Sequence, residues 1–409
     1  MKYIERDLEK EILKYLNSKE ILAVVGARQC GKTTLVQNIL EKLQKKGKKM
    51  SKISFDNVKD LNLFEKDTDS FVDLYIKNKD ILFIDEVQYS KDSGKKLKYI
   101  YDNFDVKIFI SGSSAADISI QSLKYLVGRI FTFVLYPFSF NEFLKAKDSK
   151  LQGIYQSGNY KKEIVNKLNN YLNEFILYGG YPRVVLAEKI EEKEKILENI
   201  YSTYLLKEIK EILDLSGDDE LIKLLKALSL QIGNIINYNE LSAVSGFAYG
   251  DLKKYLNILA KTYICSQIKP YYTNKRTELV KTPKIYFFDT GFRNGCIDNF
   301  NKERTDRGNL YENFIFSELV KQNITPTYWR TKSQAEVDFI IEKNNDLVPI
   351  EIKSLLRDPK ITKSFSSFLE KYKSKKGYVL SLDFEGRRKM DSSRIDFWPF
   401  VRFIKKLKI

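Results

Sequence analysis

Two glycines, a lysine and two threonines stand close together in "AVVGARQCGKTTLV", residues 23 to 36. Gly26, Ala27, Arg28, Gln29, Cys30, Gly31, Lys32 and Thr33 match GxxxxGK[ST], a spacing in which a glycine-rich loop turns successive backbone N–H groups onto a phosphate. In that chemistry Lys32 reaches the β and γ phosphates of ATP, Thr33 offers its hydroxyl to Mg2+, and Thr34 adjoins it at the start of a helix. Further on, "KDILFIDEVQ" (79–88) is an apolar run ending in Asp85 and Glu86. Phosphoryl transfer to water needs one carboxylate to hold the metal and another to polarise the attacking water, roles that suit Asp85 and Glu86. The run "VKIFISGSSA" (106–115) ends in hydroxyls, of which Ser111 or Ser113 would sense the γ-phosphate; turn chemistry is the simpler account of so many Ser and Gly. A second acidic set lies near the other end of the chain. Asp338, Glu351 and Lys353, with Glu312 as a further ligand, have the types needed to hold Mg2+ against a scissile phosphate and neutralise developing charge.

These residues need rigid supports. "ILAVV" (21–25) reads as a buried strand, and "KTTLVQNILEKLQKK" as a helix with Leu35, Ile39 and Leu43 on one face. "GNLYENFIFSELVKQ" (308–322) is predicted to be a helix, followed by strands at "PTYWR", "AEVDFIIEK" and "LVPIEIKS", a helix near "ITKSFSSFLEKYK" and a strand at "GYVLSL". On the third of these strands Glu351 and Lys353 are two apart and share a face, while Val348, Ile350 and Ile352 point into a core. Helix, three strands, helix, strand is the order of a restriction-endonuclease-like α/β domain, and the charged set is that of PD-(D/E)XK, with Val337 in place of the usual proline. The same alternation is what any half-exposed strand shows.

Composition narrows the chemistry. The chain of 409 residues contains no histidine, which excludes Ser-His-Asp triads and histidine-held zinc. Three cysteines, Cys30, Cys265 and Cys296, lack CxxC spacing and predict a reducing compartment. No apolar run is long enough to span a bilayer and "MKYIERDLEK" is too charged for a signal sequence, so a cytoplasmic protein with no membrane partner is expected. The net charge of +16 fits a polyanionic partner, and equally a lysine-rich background composition.

In order, "VVGARQCGKTTLV", "ILFIDEVQ", "FISGSSA", "LVGRIFTFVLYPFSFNEF" and "LYGGYPRVV" resemble the bacterial and archaeal AAA-superfamily ATPases that carry a C-terminal domain of unknown function. The resemblance implies a RecA-like parallel sheet with the two motif strands central, followed by a helical lid. It also implies that Arg129 in "LVGR" contacts a γ-phosphate, in cis or from a second copy in a homo-oligomer, and that Pro182 in "GGYP" approaches the adenine with Arg183 as a lid sensor. From the residues themselves, Arg129 reads equally as a surface arginine and "GGYP" as a helix stop.

Between these regions, residues 218 to 268 read as three short helices, the last with Leu252, Leu256 and Leu259 on one stripe, followed by a β-ribbon. This is a winged helix-turn-helix pattern, which the family resemblance also implies. Lys253, Lys254 and Lys261 lie on the last helix, and Lys269, Lys275, Arg276, Lys281 and Lys284 along the ribbon, with Tyr271 and Tyr272 available to stack on bases, so DNA is the expected partner. Winged helices also serve as protein-contact modules, which leaves a protein partner as the alternative. The expected organisation is a P-loop ATPase core over 1–135, a lid over 136–212, a winged helix over 213–298 and a nuclease-like domain over 299–409.

Overall fold

A computed structural model describes residues 3–112, 124–158, 161–202, 209–274, 276, 278 and 281–406. Ser113 and Lys275 lie outside the described residues. The chain forms two compact units: Met1–Phe138 with Asn257–Ile264, and Ser139–Leu256 with Cys265–Ile409.

The first unit is built on five parallel strands: β1 (Ile21–Val25), β2 (Met50–Ser54), β3 (Ile81–Asp85), β4 (Lys107–Ser111) and β5 (Ile130–Val134), in the order β2-β3-β4-β1-β5. Both faces are apolar, because a parallel sheet is covered by helices on each side. Leu22 and Val24 of β1 pack with Leu35, Val36 and Ile39 of the helix Lys32–Gln44 on one face. Ile21 and Ala23 face the other way, among Leu82, Ile84, Leu97 and Ile100. β4 separates β1 from β3, and this order brings a third strand end between the two motif strands.

The second unit holds the antiparallel ribbon β6 (Cys265–Ile268) and β7 (Lys284–Phe287), and a six-stranded sheet. The sheet comprises β8 (Thr327–Arg330), β9 (Glu336–Lys343), β10 (Asp346–Ile352), β11 (Lys376–Ser381), β12 (Gly386–Met390) and β13 (Ser393–Pro399), in the order β12-β13-β11-β10-β9-β8. β8 to β11 and the helices Arg307–Lys321 and Lys363–Tyr372 fall where the periodicity predicts them. β12, β13 and the helix Phe400–Lys406 extend the sheet beyond the predicted elements.

The expected boundaries at 212 and 298 do not separate compact bodies. The helices Phe140–Lys147 and Lys162–Tyr178, read as a lid, share an aromatic core with the helix Arg307–Lys321: the Phe140 ring meets Phe175 at 5.8 Å and Phe314 at 6.0 Å. The Phe140 N–H donates to both oxygens of buried Glu318 at 3.2 Å. Burial raises the Glu318 carboxyl above its usual range. Among the described residues, no helix is long and apolar enough to cross a membrane.

Candidate functional site

The loop Gly26–Gly31 leaves the end of β1 and enters the helix Lys32–Gln44. Gly26 has a φ of +146°, and a Cβ there would lie 2.1 Å from the Leu135 carbonyl oxygen, so the residue is glycine on two counts. Ala27 and Cys30 are buried, Gln29 and Thr34 are exposed, and Arg28 is intermediate. The Cys30 thiol donates to the Ala27 carbonyl at 2.8 Å and is raised by burial, which makes it a strut of the loop and not a reactive thiolate. The buried Lys32 Nζ donates to the carbonyls of Gly26 and Ala27, each at 3.0 Å, so the ammonium is held inside the loop. No side chain caps this helix and its first turn has no acid, which leaves N-terminal N–H groups and the positive end of the dipole for an anion.

Beside the loop, β3 and β4 end in Asp85 and Ser111. The Thr33 hydroxyl donates to Asp85 Oδ2 at 2.8 Å, and the buried Ser111 hydroxyl donates to Asp85 Oδ1. Hydroxyls from two other elements thus converge on the Asp85 carboxylate. Hydroxyl and carboxylate oxygens are the donors that suit Mg2+, so Thr33 and Asp85 fit that ion. Glu86 has a left-handed backbone, with φ 53° and ψ 46°, and its carboxylate accepts from Gln88 Nε2. Of the two sensor candidates, Ser111 is brought to the site and Ser113 lies outside the described residues.

Arg6 is a residue that the motifs missed. It is buried; Nη1 donates to the Cys30 carbonyl at 2.7 Å and Nη2 to the Tyr136 carbonyl at 2.6 Å, and its guanidinium lies 4.8 Å from the Phe138 ring. It ties the phosphate loop to the segment after β5. An arginine beginning an amphipathic helix gives no sign of such a partner in sequence.

Two expectations from the resemblance have other physical accounts. The Arg129 carbonyl accepts from the N–H of Ile21, the first residue of β1, whereas the loop follows Val25 at the other end of the strand. The five-residue strand places these ends roughly 15 Å apart. Arg129 pairs there with Asp102, at 2.9 and 3.3 Å, so it does not reach this chain's own phosphate loop. In "GGYP", the Gly180 N–H donates to Asp289 Oδ2 at 2.7 Å, and a Cβ on Gly179 would lie 2.0 Å from Asp289 Oδ1. Pro182 opens the short helix Pro182–Leu186, and Arg183 on it is exposed. The glycines are therefore explained by close packing on Asp289.

In the second unit, Glu312, Asp338, Glu351 and Lys353 form one electrostatic neighbourhood. Among the described residues, no group of three or more acidic or cysteine side chains has metal-holding geometry. Lys284 of β7, expected to lie on a DNA-facing ribbon, stands among these acids. It is 2% exposed and pairs with Glu312 at 3.2 Å and Glu336 at 2.6 Å. Two residues on, Tyr286 shares its face and donates its hydroxyl to Glu312. Glu351 is occupied by Lys353 at 2.7 Å and by the Thr362 hydroxyl at 2.9 Å. Asp338 Oδ2 accepts from the Ile352 N–H at 2.7 Å, and desolvation followed by the Glu312 charge pushes its carboxyl up to about 8. Glu336 and Lys284 were not assigned to this site; the signal was a lysine inside an otherwise apolar strand, "KIYF".

Of the residues expected to touch nucleic acid, Lys253, Lys254, Lys261, Lys269, Arg276 and Lys281 are exposed, and Lys275 lies outside the described residues. Tyr272 is half-buried. Tyr271 is corrected: it is buried in the core with Trp329 and Phe368, and meets the Tyr372 ring at 5.5 Å, so it is not available to stack on a base.

Residues 18–144 match the family described as AAA domain, residues 169–303 a domain of unknown function (DUF8612) and residues 307–401 another (DUF4143). The chain is 26% identical over 360 residues to an uncharacterized protein of Haemophilus influenzae, covering 84% of each. It is 26% identical over 361 residues to an uncharacterized protein of Methanocaldococcus jannaschii, covering 85% of this chain and 77% of that one. Among solved structures, the Aeropyrum pernix ORC1 protein in complex with DNA overlaps 73% of this chain and 93% of its own at 10% identity and a TM-score of 0.31, too low to carry any property across. The first unit contains an AAA-type P-loop domain, and that match supports nucleotide binding and hydrolysis.

Proposed function

We propose that the protein binds Mg-ATP at residues 26–34 and hydrolyses it, and that nucleotide state regulates a contact between DNA and the exposed basic residues of the second unit. The observation that carries the first part is the convergence of Thr33, Asp85 and Ser111 beside an uncapped helix N-terminus. Lys32 moves from the loop carbonyls to the β and γ phosphates, Thr33 and Asp85 hold Mg2+, and Glu86, oriented by Gln88, takes the proton of the attacking water. Bound Mg2+ supplies charge neutralisation at the phosphates. Ser111 is assigned the γ-phosphate sensor role, supported by its hydrogen bond to Asp85.

The DNA part is supported by Lys253, Lys254, Lys269, Arg276 and Lys281, all exposed in the second unit. A second reading, in which that unit engages a protein partner, draws support from the burial of Tyr271, which removes one of two aromatic rings expected to stack on bases. DNA affinity measured with and without a non-hydrolysable ATP analogue, over a range of salt, tests both. A steep salt slope and a nucleotide-dependent affinity are expected; a flat slope favours the protein partner, and identical affinities remove the coupling.

A further inference from the structure

We infer that Lys284 takes the place of a divalent cation in the acidic cluster of the second unit, so that the cluster is a closed ion-pair network and not a metal centre. Three of the four carboxylates are paired with cationic side chains, Glu312 and Glu336 with Lys284, Glu336 also with Arg330 at 3.0 Å, and Glu351 with Lys353, while Asp338 accepts from the Ile352 N–H. A metal-dependent nuclease needs carboxylate oxygens that no protein cation already occupies, so that the metal supplies the positive charge.

Lys284 has no route out of the cluster. It lies on a strand whose four residues are all buried, with its ammonium 5.5 Å from the Tyr328 ring centroid. The strand is fastened to the helix bearing Glu312 by Asn313, whose side chain accepts from the Phe287 N–H at 2.7 Å and donates to the Phe287 carbonyl at 2.9 Å. A divalent ion entering between Glu312 and Asp338 would take Glu312 from Lys284 and set a second positive charge beside a buried ammonium held by Glu336 alone, which is strongly unfavourable. The remaining donors are also engaged: Tyr286 holds Glu312, the Ile352 N–H holds Asp338, and Thr362 holds Glu351. It follows that nucleic acid meeting this unit is bound without being cut.

The test is Mn2+ uptake by the full-length, nucleotide-free chain, followed by electron paramagnetic resonance. Wild type and Asp338→Asn are expected to take up the same number of ions per chain; one additional ion in the wild type, lost in Asp338→Asn, overturns the inference. Glu351→Gln serves in the same comparison should Asp338→Asn not fold. Lys284→Met is expected to gain one Mn2+ that Asp338→Asn in the same chain abolishes, and a folded Lys284→Met chain that gains none also overturns it. If Lys284→Met does not fold in either the presence or absence of Mn2+, the wild-type comparison decides alone.

Discussion

Asp85 and Asp338 are both strand aspartates among oxygen-bearing neighbours, yet their surroundings are electrostatically opposite. Asp85 is held by two hydroxyls, Thr33 and Ser111, and Lys32 is held by loop carbonyls. Its charge is oriented without being cancelled, and a cation can use it. Asp338 shares its neighbourhood with Lys284, which already pairs with two other acids. The difference teaches that a list of acids does not define a metal site. What defines it is whether the protein has already supplied the counter-charge.

The largest expected effect falls on the first region. Lys32→Ala should lower ATP turnover by roughly 100-fold or more, since a charge aimed at the transferring phosphate is lost. Steady-state phosphate release checks it, and retained turnover would dissolve the contrast. Next is Lys284→Met, which leaves Glu312 and Glu336 without their buried cation. A loss of about 3–5 kcal/mol is expected in urea unfolding, partly restored by Mn2+. Arg6→Ala should cost about 1.5–3 kcal/mol and raise KM for ATP more than it lowers kcat, because the charge-assisted bond to the phosphate loop is removed while no reacting atom is touched. Arg6→Lys should rescue it only partly, since an ammonium cannot reproduce the two-pronged grip.

A smaller effect follows from pH. The carboxyl of Asp338 is raised to about 8 in the folded chain, against about 4 when unfolded, so the folded state binds the proton more tightly and stability declines as pH rises through that window. Asp338→Asn removes this slope and should be more stable than wild type above pH 8, by roughly 1–3 kcal/mol, in unfolding curves at pH 5, 7 and 9. Smallest of all is Arg129→Ala. Turnover of dilute protein should be unchanged, because the side chain is occupied by Asp102 at the far end of β1; a loss seen only at high protein concentration would instead mark action on a neighbouring copy.

Much of this was legible without coordinates. The loop of residues 26–33, the pair Asp85 and Glu86, and β8 to β11 with their flanking helices all followed from short-range rules, since glycine spacing, two-residue alternation and helical periodicity are local properties. Arg6 escaped because its partners, Cys30 and Tyr136, are distant in sequence and are backbone atoms, which leave no mark on residue type. Tyr271 was misread because an aromatic residue beside lysines looks the same whether it lines a core or a surface. The contacts that Phe140 makes with Phe175 and Phe314 were hidden for the same reason.

The residue order alone determined that a phosphate-binding loop exists and which acids stand near it, because those features depend on neighbours a few positions apart. Tertiary structure alone decided that Ser111 meets Asp85, that Arg129 lies at the other end of β1 from the loop, and that Lys284 pairs with Glu312 and Glu336. Each of these depends on which strands lie side by side, and electrostatic balance is set by distance in space, to which sequence separation is blind.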